Sequence, residues 1–217
     1  DKISLFNNEG NSVAFSTDIT EPAAVAKFTN TAEYTAPETI YAVYPDRGGV
    51  QKLTDGIINN FRIAGGQTAV AGSFDPAYGS AVGVSDVNGN ITFKSINSLI
   101  KFTIGGKKAP AKVTFTNGGA RNIAGLFTYD TITGAVNSGD GAKAISLTPA
   151  AGDAFEVGET YYIAVIPGGN FANMTLDFDG TVVRTVEGAK YADETNDFLV
   201  GKIINLGTVA FPDDEPE

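Results

Sequence analysis

One string occurs twice in this chain. ETIYAVYP at 38–45 returns as ETYYIAVIP at 159–167. Ala42-Val43-Tyr44-Pro45 aligns with Ala164-Val165-Ile166-Pro167 at an offset of 122 residues, and Asp55-Gly56 answers Asp179-Gly180 at an offset of 124. Each block is an apolar, strand-like run stopped by proline, then a glycine-containing turn, then another alternating run. A period of this length exceeds one supersecondary unit. It points to two related β domains, each of a size at which domains commonly fold. Chance likeness between two strands ending at proline is the rival account. The co-placed Asp-Gly favours relatedness, and superposing the strand at 40–44 on the strand at 162–166 decides between them.

Alternation with period two runs through the rest of the sequence, as expected for strands with one face inward. Phe28, Asn30, Ala32 and Tyr34 alternate with Thr29, Thr31 and Glu33. Ile57, Phe61 and Ile63 are placed on one face, against Asn60 and Arg62. In the run 98–104, Ile100, Phe102 and Ile104 point inward and Lys101 and Thr103 outward. Met174, Leu176 and Phe178 oppose Thr175 and Asp177, while Val182 and Val186 share a face with Arg184 that belongs near an edge or rim. Asn88-Gly89 and Asn117-Gly118 have the chemistry of two-residue hairpin turns, which need positive φ. Asp55-Gly56 and Asp179-Gly180 do similar work. Short strands separated by such turns predict sandwiches or barrels. The segment 21–28 offers the one short helix, with Pro22 at its first position. The divide between domains is expected within 92–97, giving a first domain at 1–94, a second at 95–211 and an acidic, proline-containing tail at 212–217.

Composition narrows function mainly by what is missing. There is no His and no Cys, so the commonest general base and zinc ligand, every disulfide and every thiolate site are excluded. A net charge of −10, with 15 basic against 25 acidic residues, argues against nucleic-acid partners and against anionic membrane surfaces. No run approaches the ~18 apolar residues of a membrane-spanning helix.

The remaining candidates for chemistry read as structure. Asp46, Asp55, Asp75, Asp86, Asp130, Asp140, Asp153 and Asp179 sit in turns, where aspartate ordinarily bonds its own backbone; a glycosidase carboxylate pair is therefore not expected. Asp86-Val87-Asn88-Gly89-Asn90 opens like a calcium loop, but Ile91 and Asn97 stand where glycine and glutamate are needed. Asp193, Glu194 and Asp197 form a small acidic cluster read as a solvated loop. Tyr41, Tyr44, Tyr78, Tyr161 and Tyr162 are the candidates for stacking on sugars, in a chain without Trp. No enzyme, cofactor or metal site is expected.

Several stretches together resemble the fimbrillin-like proteins of Bacteroidales: the AVYP and AVIP strands, the segment 61–74 with Gln67 in its middle, ITFKSINSLIKFTI at 91–104, GKIINLGTV at 201–209, and the opening DKISLF at 1–6. The resemblance implies two tandem transthyretin-like β-sandwich domains. It implies export as a lipoprotein, a cell-surface or extracellular location, outer-membrane anchored or fimbrial, and a structural or adhesive role in a fimbria. Partners would be other fimbrial subunits, joined by strand exchange, and a host or bacterial surface ligand. A surface glycan-binding lipoprotein module is the alternative. DKISLF resembles the second half of a family segment. On that ground the first domain is expected to lack, or to hold only loosely, an N-terminal strand, which would leave a pairing edge. The donor or edge strand within this sequence is placed at Ile203, Ile204, Asn205, Leu206 and Val209, with Ile203, Asn205, Gly207 and Val209 on one face. Completion of the second domain by that same segment is the competing reading.

Overall fold

The computed structural model of the chain describes residues 1–21, 23–169, 171–186 and 200–214. Among these, the regular structure is strand, with 3-10 turns at Pro76–Tyr78 and Pro212–Asp214. The fold is all-β and of the sandwich type, as the period-two runs require. The expected short helix does not form over 23–28, and Pro22 lies outside the described residues. Two compact units divide the chain, each built from three segments: Asp1–Phe61, Gly79–Ile96 and Thr128–Ala135 make the first; Arg62–Tyr78, Asn97–Phe127 and Val136–Glu217 the second.

The first unit is organised by a five-stranded antiparallel sheet. Its order is β2 (Ser12–Ser16), β1 (Lys2–Phe6), β3 (Tyr41–Tyr44), β7 (Ala81–Ser85), β8 (Ile91–Ser95). Side chains alternate between the two faces of a strand. Ser4 and Phe6 of β1 are buried on one face and Ile3 and Leu5 on the other, so this sheet is covered on both sides. The weakly held N-terminal strand expected from sequence is therefore not β1, which lies between β2 and β3. On the second face Ile3, Leu5 and Ala42 form a cluster, and Phe15, Phe28, Tyr34, Ile40, Ile91 and Phe93 pack against it. The run 28–34 keeps its alternation, with Phe28 and Tyr34 inward, but builds no strand: its one bridge joins Thr29 to Ser16. Apolar contact holds this segment without a ladder.

β4 (Leu53–Thr54) and β5 (Ile57–Ile63) form a hairpin on Asp55-Gly56, where φ is 50° and 79°. Two consecutive positive values match the right-handed twist of flanking strands. The expected inward face of β5 holds for Phe61 and Ile63 and fails for Ile57, which is exposed while Ile58 is buried. Asn60 explains the change: its φ of 60° puts one residue out of the pleat and reverses the parity before it.

In the second unit, one sheet runs β16 (Thr181–Val186), β15 (Met174–Phe178), β10 (Val113–Thr116), β13 (Ala144–Thr148), β6 (Gly66–Thr68). Another runs β14 (Thr160–Val165), β9 (Ser98–Ile104), β17 (Ile203–Val209). Ile100, Phe102 and Ile104 of β9 are fully buried, with Lys101 and Thr103 on the opposite face, as the alternation predicts. The Phe102 ring meets the Phe178 ring of β15 at 6.4 Å and the Tyr161 ring of β14 at 6.2 Å, so the two sheets share this core. β15 turns into β16 on Asp179-Gly180, whose φ values of 52° and 92° repeat the first unit's hairpin.

Both Asn-Gly expectations need correction. Asn88-Gly89 lies in a longer loop: Asp86 N–H donates to Asn90 O, and Gly89 alone has positive φ, at 80°. Asn117-Gly118 makes no tight hairpin. Asn117 is buried, its Nδ2 donating to Arg121 O and its Oδ1 accepting from the Gly119 and Ala172 N–H groups. A buried carboxamide is satisfied there by three separate backbone groups, which a hairpin turn would not supply.

Candidate functional site

In an all-β chain the sheet edges are candidate sites, because an edge presents N–H and C=O groups to any strand that fits. The edges of this chain are not alike.

β14 is sealed by side chain and loop. Gln67 reaches across 97 residues of sequence, donating Nε2–H to Ala164 O at 2.7 Å and accepting from Ala164 N–H at 3.0 Å through Oε1. One carboxamide thus fills both backbone valences of a residue, as a neighbouring strand would. Gly72 N–H donates to Thr160 O, and Ile166 N–H to Ile123 O, farther along the same strand. β2 is covered in part. Ser16 and Thr29 exchange two 2.9 Å hydrogen bonds, Asn11 bridges Lys52, and the Ser12 hydroxyl donates to Gln51 O. The segment past Thr29 is held by Tyr34, whose hydroxyl donates to Phe6 O at 3.1 Å and whose ring meets Phe15 edge-on at 5.2 Å. Burial pushes that hydroxyl above the usual tyrosine range, so it stays a neutral donor.

β8 is different. Ile96 N–H donates to Ser80 O and Asp86 N–H to Asn90 O at the two ends of its ladder with β7. Bonded and non-bonded pairs alternate in an antiparallel ladder. Val82–Lys94 and Val84–Thr92 are then the bonded pairs, and the N–H and C=O of Ile91 and Phe93 point away from β7. Among the described residues no strand pairs with β8 on that side. The side chains of Ile91 and Phe93 are half-buried at the end of the apolar cluster. They fold across Gly83, where a Cβ would lie 2.4 Å from Ile91 Cγ2; glycine is required for that approach. Lys94 is exposed on the other face.

The donor residues assigned from sequence lie together in β17, bonded in parallel to β9. Ile204, Leu206 and Val209 are buried, and Ile203 and Asn205 exposed. Val209 was expected on the face of Ile203. Gly207, with φ of 74°, interrupts the register between Asn205 and Thr208 and turns Val209 inward. Arg184 of β16 donates to Thr208 O at 3.0 Å. In this structure β17 completes the second unit.

Several aspartates cap backbone, and Asp46 accepts from the Ser4 hydroxyl. Asp179 accepts from Ala111 and Lys112 N–H, Asp75 from Thr68 and Ala77 N–H, and Asp177 from Gly180 N–H. Asp86 holds the β7–β8 loop. Hydrogen bonds from Asn90, side chain and backbone, and from Asn88 pull its carboxyl below the ordinary range. Bonds from Thr133 and Ile132 do the same at Asp130. Of the tyrosines, Tyr161 is buried against Phe155 at 4.9 Å, its hydroxyl accepting from Glu156 N–H, while Tyr44 is exposed. Asp193, Glu194 and Asp197 lie outside the described residues. No helix among the described residues is long and apolar enough to cross a membrane.

The edge of β8 lies where the sequence marks the close of the first unit, at 91–93. The signal was present, since Ile91-Thr92-Phe93-Lys94-Ser95 alternates and follows a turn. In the sequence, Gln67 is marked only by the family resemblance of the segment 61–74.

No protein-family profile and no curated protein matches the sequence. Solved structures do. A candidate cell adhesion protein from Bacteroides uniformis superposes with a TM-score of 0.57 at 17% identity, over 95% of this chain and 86% of its own. A second, from Bacteroides ovatus, gives 0.52 at 14% identity, over 95% and 81%. The chain shares their fold.

Proposed function

We propose that this chain is an adhesive, non-catalytic subunit of the bacterial cell surface that joins other chains by strand addition, with β8 as the accepting edge. The open edge of β8 carries this reading. Backbone groups of Ile91 and Phe93 face outward in register beside a half-buried apolar pair, while β14 is plugged by Gln67. Main-chain hydrogen bonds supply affinity in such pairing, and alternate side chains supply register. The fold held in common with candidate cell adhesion proteins supports the surface role. A fimbria is the assembly that fits, with anchoring at the outer membrane. β17 is paired with β9 here, so it could add to β8 of another copy only by leaving β9.

Proline at Phe93 tests the edge selectively. It removes an N–H that β7 does not use, and proline is tolerated where the N–H side of an edge strand faces solvent. Phe93→Ala controls for the lost ring. Polymer formation in a fimbria-producing strain, followed beside thermal melting of each variant, should be abolished by Phe93→Pro and retained, though weakened, by Phe93→Ala. Normal assembly of a folded Phe93→Pro variant would exclude β8 as the acceptor.

A further inference from the structure

Two Asn-Gly pairs occur in this chain, and the fold treats them in opposite ways. Asparagine followed by glycine is chemically labile because glycine has no side chain to obstruct its own nitrogen. The glycine N, giving up its proton to solvent base, attacks Cγ of the asparagine. A C–N bond forms, the Cγ–Nδ2 bond breaks, and ammonia leaves a cyclic imide. Water then opens the ring. Cleavage of Cγ–N gives aspartate, and cleavage of the backbone C–N bond gives isoaspartate, with one extra methylene in the main chain.

Asn117 is held against this reaction. Its Nδ2 donates to Arg121 O at 2.9 Å, and its Oδ1 accepts from Gly119 N–H at 3.0 Å and Ala172 N–H at 3.1 Å. Gly118 packs so closely that a Cβ there would lie 2.9 Å from Asn173 O. Neither Cγ nor the glycine N can move toward the other without breaking this core. Asn88 sits at the tip of the β7–β8 loop, exposed with Val87, Gly89 and Asn90. Its neighbour Gly89 is restrained by one bond, N–H to Asp86 O at 3.0 Å. The Asp86 carboxylate steadies the loop by accepting from Asn88 N–H and Asn90 N–H, each at 2.8 Å. Opening this turn disturbs no buried residue.

We propose that Asn88 is a site of spontaneous deamidation, guarded by Asp86, and that Asn117 is locked. The product places a second carboxylate two residues from Asp86, at the hairpin whose far strand is β8. In the isoaspartyl form the added methylene lengthens the loop and loosens the register of β8 on β7. The inference concerns the loop alone and stands whether or not β8 accepts a partner strand.

Peptide mapping by mass spectrometry tests it. The purified chain is incubated folded in mildly alkaline buffer and sampled over time, beside the Asp86→Ala variant and beside denatured protein. The expected result is progressive conversion at Asn88 with isoaspartate predominating, several-fold faster conversion at Asn88 in Asp86→Ala, and Asn117 converting only in the denatured sample. Asn88 persisting in the folded chain, or Asn117 converting as fast as Asn88 there, overturns the proposal. An Asp86→Ala rate equal to the parent's would remove Asp86 as the guard.

Discussion

At the scale of single residues, the most consequential side chain is Gln67. Its carboxamide satisfies both Ala164 N–H and Ala164 O in a buried setting. A buried backbone group left unpaired costs about 1–3 kcal/mol. Gln67→Leu is close in size but leaves two such groups, so a loss of about 2–4 kcal/mol is expected in urea unfolding. An unchanged midpoint would mean that water replaces the carboxamide without penalty. The same accounting applies to the aspartates. Asp75, Asp86 and Asp130 each accept from the backbone N–H two residues on, the local bonding expected of turn aspartates from sequence, whereas Asp179 accepts from Lys112 N–H, 67 residues away in sequence.

At the scale of elements, alternation was legible wherever a strand stays in one pleat. β9 and β15 bury the faces that their sequences mark. Phe102→Ala should therefore cost about 3–5 kcal/mol, as for a buried aromatic, while Lys101→Ala on the opposite face should stay within about 0.5 kcal/mol. Equal effects in a denaturant melt would mean that the register of β9 is misassigned. Alternation misled where one residue leaves the pleat. Asn60 in β5 and Gly207 in β17 both take positive φ, so Ile57 turns outward and Val209 inward. Asparagine and glycine are the residues that tolerate such φ. Their presence marks where a bulge can form, and the pairing partner decides whether it does.

At the scale of the whole chain, each compact unit takes a segment from beyond the other's main stretch. The second unit takes Arg62–Tyr78, which carries Gln67 and β6; the first takes Thr128–Ala135. In the first unit Thr131 N–H and its hydroxyl both donate to Gly56 O, at 2.8 Å and 2.7 Å. A fragment of residues 97–217 would lack the strand paired with β13 and the seal on β14. Such a fragment is expected to stay unfolded by circular dichroism and amide exchange, and to gain structure when residues 1–96 are added. Cooperative melting of 97–217 alone would show that the inserted segment is dispensable.

The all-β class, the inward faces of β9 and β15, and the Asp-Gly hairpins, whose dihedral angles repeat between the two echoing blocks, are all written in the order of residues along the chain. These depend on side-chain period and on single-residue φ preference, which are local properties. Which edges are closed depends on contacts between distant segments. Gln67 meets Ala164 across 97 residues, Thr29 bridges Ser16 without a strand forming at 28–34, and Asn117 leaves its expected turn to satisfy three backbone groups. Such contacts also pair β17 with β9 and leave one side of β8 open. Whether an edge is free depends on what the rest of the chain brings against it, and no local pattern carries that information.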